Sequence, residues 1–163
     1  MEVVAYDPSW PVQFQAECIA LQEVLAPLLV SSIEHIGSTA VPTLAAKPII
    51  DIMAPVRTLA ASNAAIGLLG SGGYAYYPYK PHVMHWFCKP SPHYRTHHLH
   101  LVPIGSPLWQ QRIAFRDALR QSATLIAEYA ALKRQLAETF RHDRDAYTNA
   151  KTPFIQRVLS ELK

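Results

Sequence analysis

Three short stretches of this sequence carry residue types that could do chemistry. In the first, Gly37-Ser38-Thr39 breaks an alternating segment, Ser31 to Ile36. A side-chain-free residue at such a turn lets backbone N–H groups and a hydroxyl approach an anion closely. In the second, Asp51 stands among isoleucines in Pro48-Ile49-Ile50-Asp51-Ile52-Met53. Burying a bare carboxylate would cost several kcal/mol, roughly, so this acid must bind a metal, pair with Lys or Arg, or sit at a wet rim. In the third, His98 and His100 alternate within Thr96 to Val102, which puts both imidazoles on one face of a strand. Imidazole favours zinc, nickel, manganese or iron over magnesium. The expectation is that Asp51, His98 and His100 meet across neighbouring strands and hold one divalent metal, or a phosphate when protonated. The plainer alternative is two half-buried histidines bonded to Asp51 or to backbone.

Cations accompany these stretches. Lys47 precedes the Asp51 strand, Arg95 the histidine strand, and Lys151 lies near the end of the chain. Each could neutralise a phosphate, or could simply cap a helix or pair with a nearby acid. Ser38 reads as a phosphate contact rather than a nucleophile, because no Ser-His-Asp order or elbow of glycines surrounds it. Tyr74, Tyr76, Tyr77 and Tyr79 with His82, His85 and Trp86 could stack a base, but cross-strand packing explains them equally well. A histidine-triad hydrolase would need a third alternating histidine, where Val102 stands.

The elements that must position these groups follow from periodicity. Phe14, Cys18, Leu21, Val24, Leu25 and Leu28 recur at helical spacing, with Ser9 as a cap, Pro11 in the first turn and an end at about Leu29, bent or stopped near Pro27. Strands are expected over Ser31–Ile36, Pro48–Val56, Tyr74–Tyr77, Met84–Lys89 and Thr96–Val102, with a helix over Ala60–Leu69 closed by glycines. Ser106-Pro107 opens a helical remainder, followed by helices over Ala123 to about Arg141 and Asp145–Leu162. That order predicts a single α+β domain over residues 1–163, a mixed sheet with helices gathered on one side.

Composition narrows the class further. Of 163 residues, 50% are hydrophobic and 17% charged, which excludes disorder. Fifteen Lys and Arg against twelve Asp and Glu give +3: enough to welcome a polyanionic small molecule, too little for a surface that coats nucleic acid. Cys18 and Cys88 form no CxxC pair or disulfide framework. The start of the chain shows no basic-then-apolar leader, and the run Val24–Val30 is broken by Pro27 and too short to span a bilayer. A cytoplasmic protein is the expectation.

A glycine–serine turn, a short connection and then Asp on a strand resemble the signature of the DNA polymerase β-like nucleotidyltransferases. More narrowly, Tyr6-Asp7-Pro8 with Trp10-Pro11, Ile33 to Pro42, Ala46 to Ile52, Arg95 with His98-Leu99-His100-Leu101, and Phe115-Arg116-Asp117 resemble the GrpB family. So do Glu128-Tyr129 with Leu132-Lys133, and Tyr147 with Lys151 and Phe154-Ile155. That family includes stand-alone proteins and domains fused to dephospho-CoA kinase. The resemblance implies a nucleotidyltransferase-like mixed sheet with a helical C-terminal part. It also implies phosphate contacts at Gly37, Ser38, Thr39, Lys47 and Lys151, and Asp51 and Arg95 as catalytic groups. A magnesium or manganese ion would sit at Asp51, with zinc admitted through His98 and His100. Active members of that superfamily carry a second carboxylate two residues after the first; here Met53 stands there, and a thioether is a poor magnesium ligand. Two functions follow: a protein that binds, and transfers, a nucleotidyl or phosphoryl group, or a non-catalytic nucleotide-sensing or folding-accessory domain.

Overall fold

The computed structural model describes residues 2–163. Helix α1 (Trp10–Leu25) has Pro11 in its first turn and turns Trp10, Phe14, Cys18, Leu21 and Leu25 to the core. It stops at Leu25, short of Leu29, because Pro27 cannot continue the ladder. Ser9 makes no side-chain cap there; its N–H donates to Asp7 Oδ1 and its hydroxyl accepts from Gln13.

Five strands form one sheet: β1 (Glu34–Ile36), β2 (Ile50–Val56), β3 (Ala75–Tyr76), β4 (His85–Pro90) and β5 (Arg95–Pro103), in the order β1-β2-β5-β4-β3. Only the central pair β2–β5 is parallel. A single 3₁₀ turn, Ser38–Ala40, follows β1, and helix α2 (Ala65–Gly70) lies between β2 and β3. The predicted helix over Ala60–Leu69 begins only at Ala65, because the Ser62 hydroxyl bonds back to Thr58 and Leu59 carbonyls and holds the preceding residues in turns.

The chain ends in four helices: α3 (Pro107–Arg120), α4 (Ala123–Thr139), α5 (Arg144–Ala150) and α6 (Thr152–Glu161). Ser106 and Ser122 cap α3 and α4 with their hydroxyls. The expected helix over Asp145–Leu162 divides at Lys151, where Pro153 starts a new first turn.

The helices are not gathered on one side. Ile50, Ile52, Ala54, Val56, Phe87, Leu99 and Leu101 meet α1 and α2, while Met53, Trp86, Cys88 and Val102 meet Leu108, Trp109 and Ile113 of α3. One face of the central strands is apolar throughout, and the other is apolar at Met53 and Val102 alongside Asp51, His98 and His100, so each face must be covered. A third cluster, Val41, Leu44, Leu119, Tyr129 and Ala130, anchors α4 beside the turn after β1. No helix among the described residues is long and apolar enough to cross a membrane.

Candidate metal and phosphate site

The parallel register of β2 and β5 sets Asp51 beside His98 and Met53 beside His100. His98 Nδ1 lies 3.0 Å from Asp51 Oδ1 and His100 Nε2 lies 3.5 Å from the same oxygen. One donor atom from each of the three can be chosen so that all lie within 4.8 Å of one another. The sequence therefore placed these residues together correctly. The Asp51 side chain keeps 27% of its exposure, so the acid sits at a rim and not sealed in the core. His98 Nε2 and His100 Nδ1 are buried without a hydrogen-bond partner among the described residues, and His100 Nε2 has only the loose 3.5 Å contact. Buried polar atoms are nearly always satisfied, so these orphans ask for a ligand.

The electrostatics agree. Burial pushes the Asp51 carboxyl up, but His100 and His98 outweigh it and hold the group below the ordinary carboxylate range. Burial, with Arg112 nearby, brings His100 down to about 4, so its imidazole is neutral and able to ligate at neutral pH. Met53 is fully buried among Ile36, Trp86 and Val102 and acts as core.

Gly37 completes the rim. Its φ is +72°, and a Cβ there would lie 2.6 Å from Asp51 Oδ2, so only glycine lets the turn reach the carboxylate. Ser38 follows, half-buried, and accepts a hydrogen bond from Lys133 Nζ at 2.9 Å. Thr39 departs from expectation: it is buried, bonded to His35 and the Ile49 carbonyl, and its hydroxyl serves the fold rather than an anion.

Cations surround this rim. Lys47 Nζ lies 3.5 Å, and Lys151 Nζ 4.6 Å, from the centre of the Tyr147 ring. Burial and the neighbouring Lys151 and Arg144 bring Lys47 down to about 8, opposed by Asp51. Lys151 is lowered by burial and supported by Asp51. Two further cations escaped the sequence reading. Lys133 is 2% exposed and brought down to about 7 by burial and by Lys151 and Lys47. Arg112 of α3 is lowered by burial while the Asp51 charge supports it. Lys133 sat in a motif already noted, beside Tyr129; Arg112 had no signal, since a cation on an amphipathic helix usually faces water.

Arg95 stands apart from this cluster. A register shift against Lys89 and Pro90 leaves Thr96 as an extra residue and turns Arg95 over the Trp86 ring, 5.0 Å from its centre. Trp86 in turn lies 5.0 Å from the His98 ring, so Arg95 borders the site through an aromatic layer and not through Asp51. Arg116 and Asp117 pair with each other and Arg116 with Glu34, which ties α3 to β1.

Comparison with known proteins adds a family to this geometry. Over 163 residues the chain is 37% identical to a UPF0157 protein of Pseudomonas aeruginosa, covering 98% of this chain and 66% of that protein. It is 28% identical to a dephospho-CoA kinase of Mycolicibacterium paratuberculosis, covering 96% of this chain but 44% of the kinase. It therefore spans less than two thirds of either relative. The crystal structure of a conserved GrpB protein from Enterococcus faecalis superposes with a TM-score of 0.87 at 33% identity, covering 98% of this chain and 96% of that one. The family model described as GrpB protein matches residues 1–161, and on that match the chain belongs to the GrpB family.

Proposed function

We propose that this chain binds a phosphorylated small molecule, a nucleotide, together with one divalent cation held by Asp51, His98 and His100. The observation that carries the reading is the convergence of His98 Nδ1 and His100 Nε2 on one Asp51 oxygen, with the other ring nitrogens left without a partner, beside a group of cations. The two-nitrogen, one-oxygen donor set fits zinc or manganese better than magnesium. A cation there would supply positive charge to a phosphoryl oxygen. The chain's own part is positional: Lys47, Lys151 and Arg112 offset phosphate charge, Gly37 admits the ligand close to backbone, and Trp86 with Arg95 offers a ring face to a base. The resemblance to nucleotidyltransferases supports the nucleotide as ligand. Met53 favours a second reading within the same site, a sensing domain without two-metal transfer.

Calorimetry on the full chain tests this. Zn²⁺ or Mn²⁺ should bind once per chain, and ATP added to the metal-loaded protein should raise its melting temperature, since a ligand that prefers the native state stabilises it. Loss of a metal's supporting partner alone commonly costs about 10–100-fold, so Asp51→Asn and His98→Ala, which remove ligands, should each weaken metal binding by about 100-fold or more. A chain that binds neither metal nor nucleotide, or whose Asp51→Asn variant binds metal equally well, sinks the proposal.

A further inference from the structure

We infer that Ser38 and Lys133 form a nucleophile–base pair that takes a phosphoryl group from a phosphoanhydride onto Ser38 Oγ. The inference rests on the phosphate part of that reading but not on the metal, since neither residue is among the proposed metal ligands. It begins with an oddity of burial. Lysine is almost never fully buried unless paired, yet Lys133 is 2% exposed and no carboxylate among the described residues lies within 4.0 Å of its nitrogen. Its partners are the neutral oxygens of Ser38, at 2.9 Å, and of the Ala45 carbonyl, with the Tyr129 ring 4.8 Å away.

A lysine so placed costs the fold something as an ammonium and little as an amine. Burial leads in bringing it down to about 7, helped by Lys151 at the α5–α6 junction, Lys47 before β2 and Arg134 on its own helix. As an ammonium it donates to both Ser38 and Ala45; once it has lost a proton, the amine can keep its bond to Ala45 and accept from the Ser38 hydroxyl through its lone pair. That is the arrangement of an activated nucleophile, a hydroxyl in contact with a base tuned near the working pH. Tyr129, whose own ionisation burial pushes up, shares a hydrogen bond with the same serine and stays a neutral orienting hydroxyl.

Ser38 is also accessible. The left-handed turn at Gly37 sets it half-buried at the rim, next to the lysines that would hold a phosphoanhydride. In the step, Ser38 Oγ forms a bond to phosphorus, and the bond from phosphorus to the bridging oxygen breaks. The departing phosphate keeps the electron pair. The serine proton passes to Lys133 Nζ and can return to the leaving oxygen.

Diisopropyl fluorophosphate tests the pair without knowledge of the natural donor. Ser38 Oγ displaces fluoride from phosphorus while its proton goes to Lys133. Intact mass and peptide mapping of the full chain should show one adduct, on Ser38, forming faster as the pH rises through about 7. General-base assistance contributes about 10²–10⁴-fold, so Lys133→Met should label at least about 100-fold more slowly. Lys133→Arg keeps charge and donors but cannot accept a proton, and should be equally slow. Labelling should persist in chelator, which separates this result from the fate of the metal proposal. No adduct on Ser38 in the folded wild-type chain, a rate indifferent to pH, or wild-type labelling by Lys133→Arg would each overturn it.

Discussion

Two charged clusters flank this sheet, and they are built on opposite logic. On the α1 face, Lys89 Nζ reaches both oxygens of Glu17 at 2.6 Å, Tyr74 donates to Glu17 at 2.7 Å, and His97 stands 3.9 Å off. Burial pushes Glu17 up, but Lys89 and Tyr74 overcome it and hold the carboxyl down. The lysine has its acid and the acid has its donors, so the cluster is closed. Around Asp51, by contrast, imidazole nitrogens have no partners, and a buried lysine rests on neutral oxygens. Each cluster is built on one acid, but at Glu17 a lysine and a tyrosine hydroxyl match it, while around Asp51 cations outnumber the acid and ring nitrogens go unmatched. A saturated network holds a structure together, whereas the unsaturated one at the Asp51 rim is what the proposed metal and phosphate would complete.

The sharpest way to break that contrast is to neutralise one member on each side. Glu17→Gln strands Lys89 in a half-buried position and should cost about 2–3 kcal/mol, below the range for fully buried pairs. Lys133→Met removes a buried cation with no acid partner and should stay within about 1 kcal/mol of wild type, the lost hydrogen bonds offsetting the relieved desolvation. Urea denaturation decides it; equal losses would mean that both clusters are structural.

A smaller effect comes with pH. Burial brings both His35 and His100 down to about 4 in the folded chain, against about 6.5 when unfolded. Between those values the unfolded chain binds more protons, so stability should fall as pH drops from about 6.5 toward 4. Glu17 acts in another window: its contribution is present above 4.5 and is lost only as pH falls through its lower folded value. Denaturation midpoints measured between pH 4 and 8 should slope accordingly, and His100→Asn should flatten the slope. An unsloped wild-type profile would contradict the neutral-imidazole reading.

The least effect belongs to a pair outside both clusters. Arg157 meets Glu128 and Glu161 on the exposed faces of α4 and α6. Exposed ion pairs contribute little, so Arg157→Ala should leave the denaturation midpoint unchanged within error. A clear drop would show that satisfaction matters at the surface too.

The site was legible in part because strand alternation is a strict rule. His98 and His100 had to share a face, and an acid among isoleucines had to find a reason to be there. The helical remainder was legible through Ser106 and the proline at 107, while the Ser122 cap of α4 came only with the structure. The coverage of both sheet faces was not, because residues buried on either side of a parallel strand look alike in a list of apolar letters. Nor could the sequence separate Thr39, whose hydroxyl turns inward, from Ser38 beside it, whose hydroxyl meets Lys133 from 95 positions away.

By itself the sequence determined the strand that carries Asp51, the shared face of the two histidines and the family, because these rest on local spacing and on short motifs in order. Only the tertiary structure decided that Lys133 and Arg112 join the lysines already named there, because they come to the site from two separate helices. No local rule states where a distant helix will set its charge; packing does, once both faces of the sheet must be kept from water.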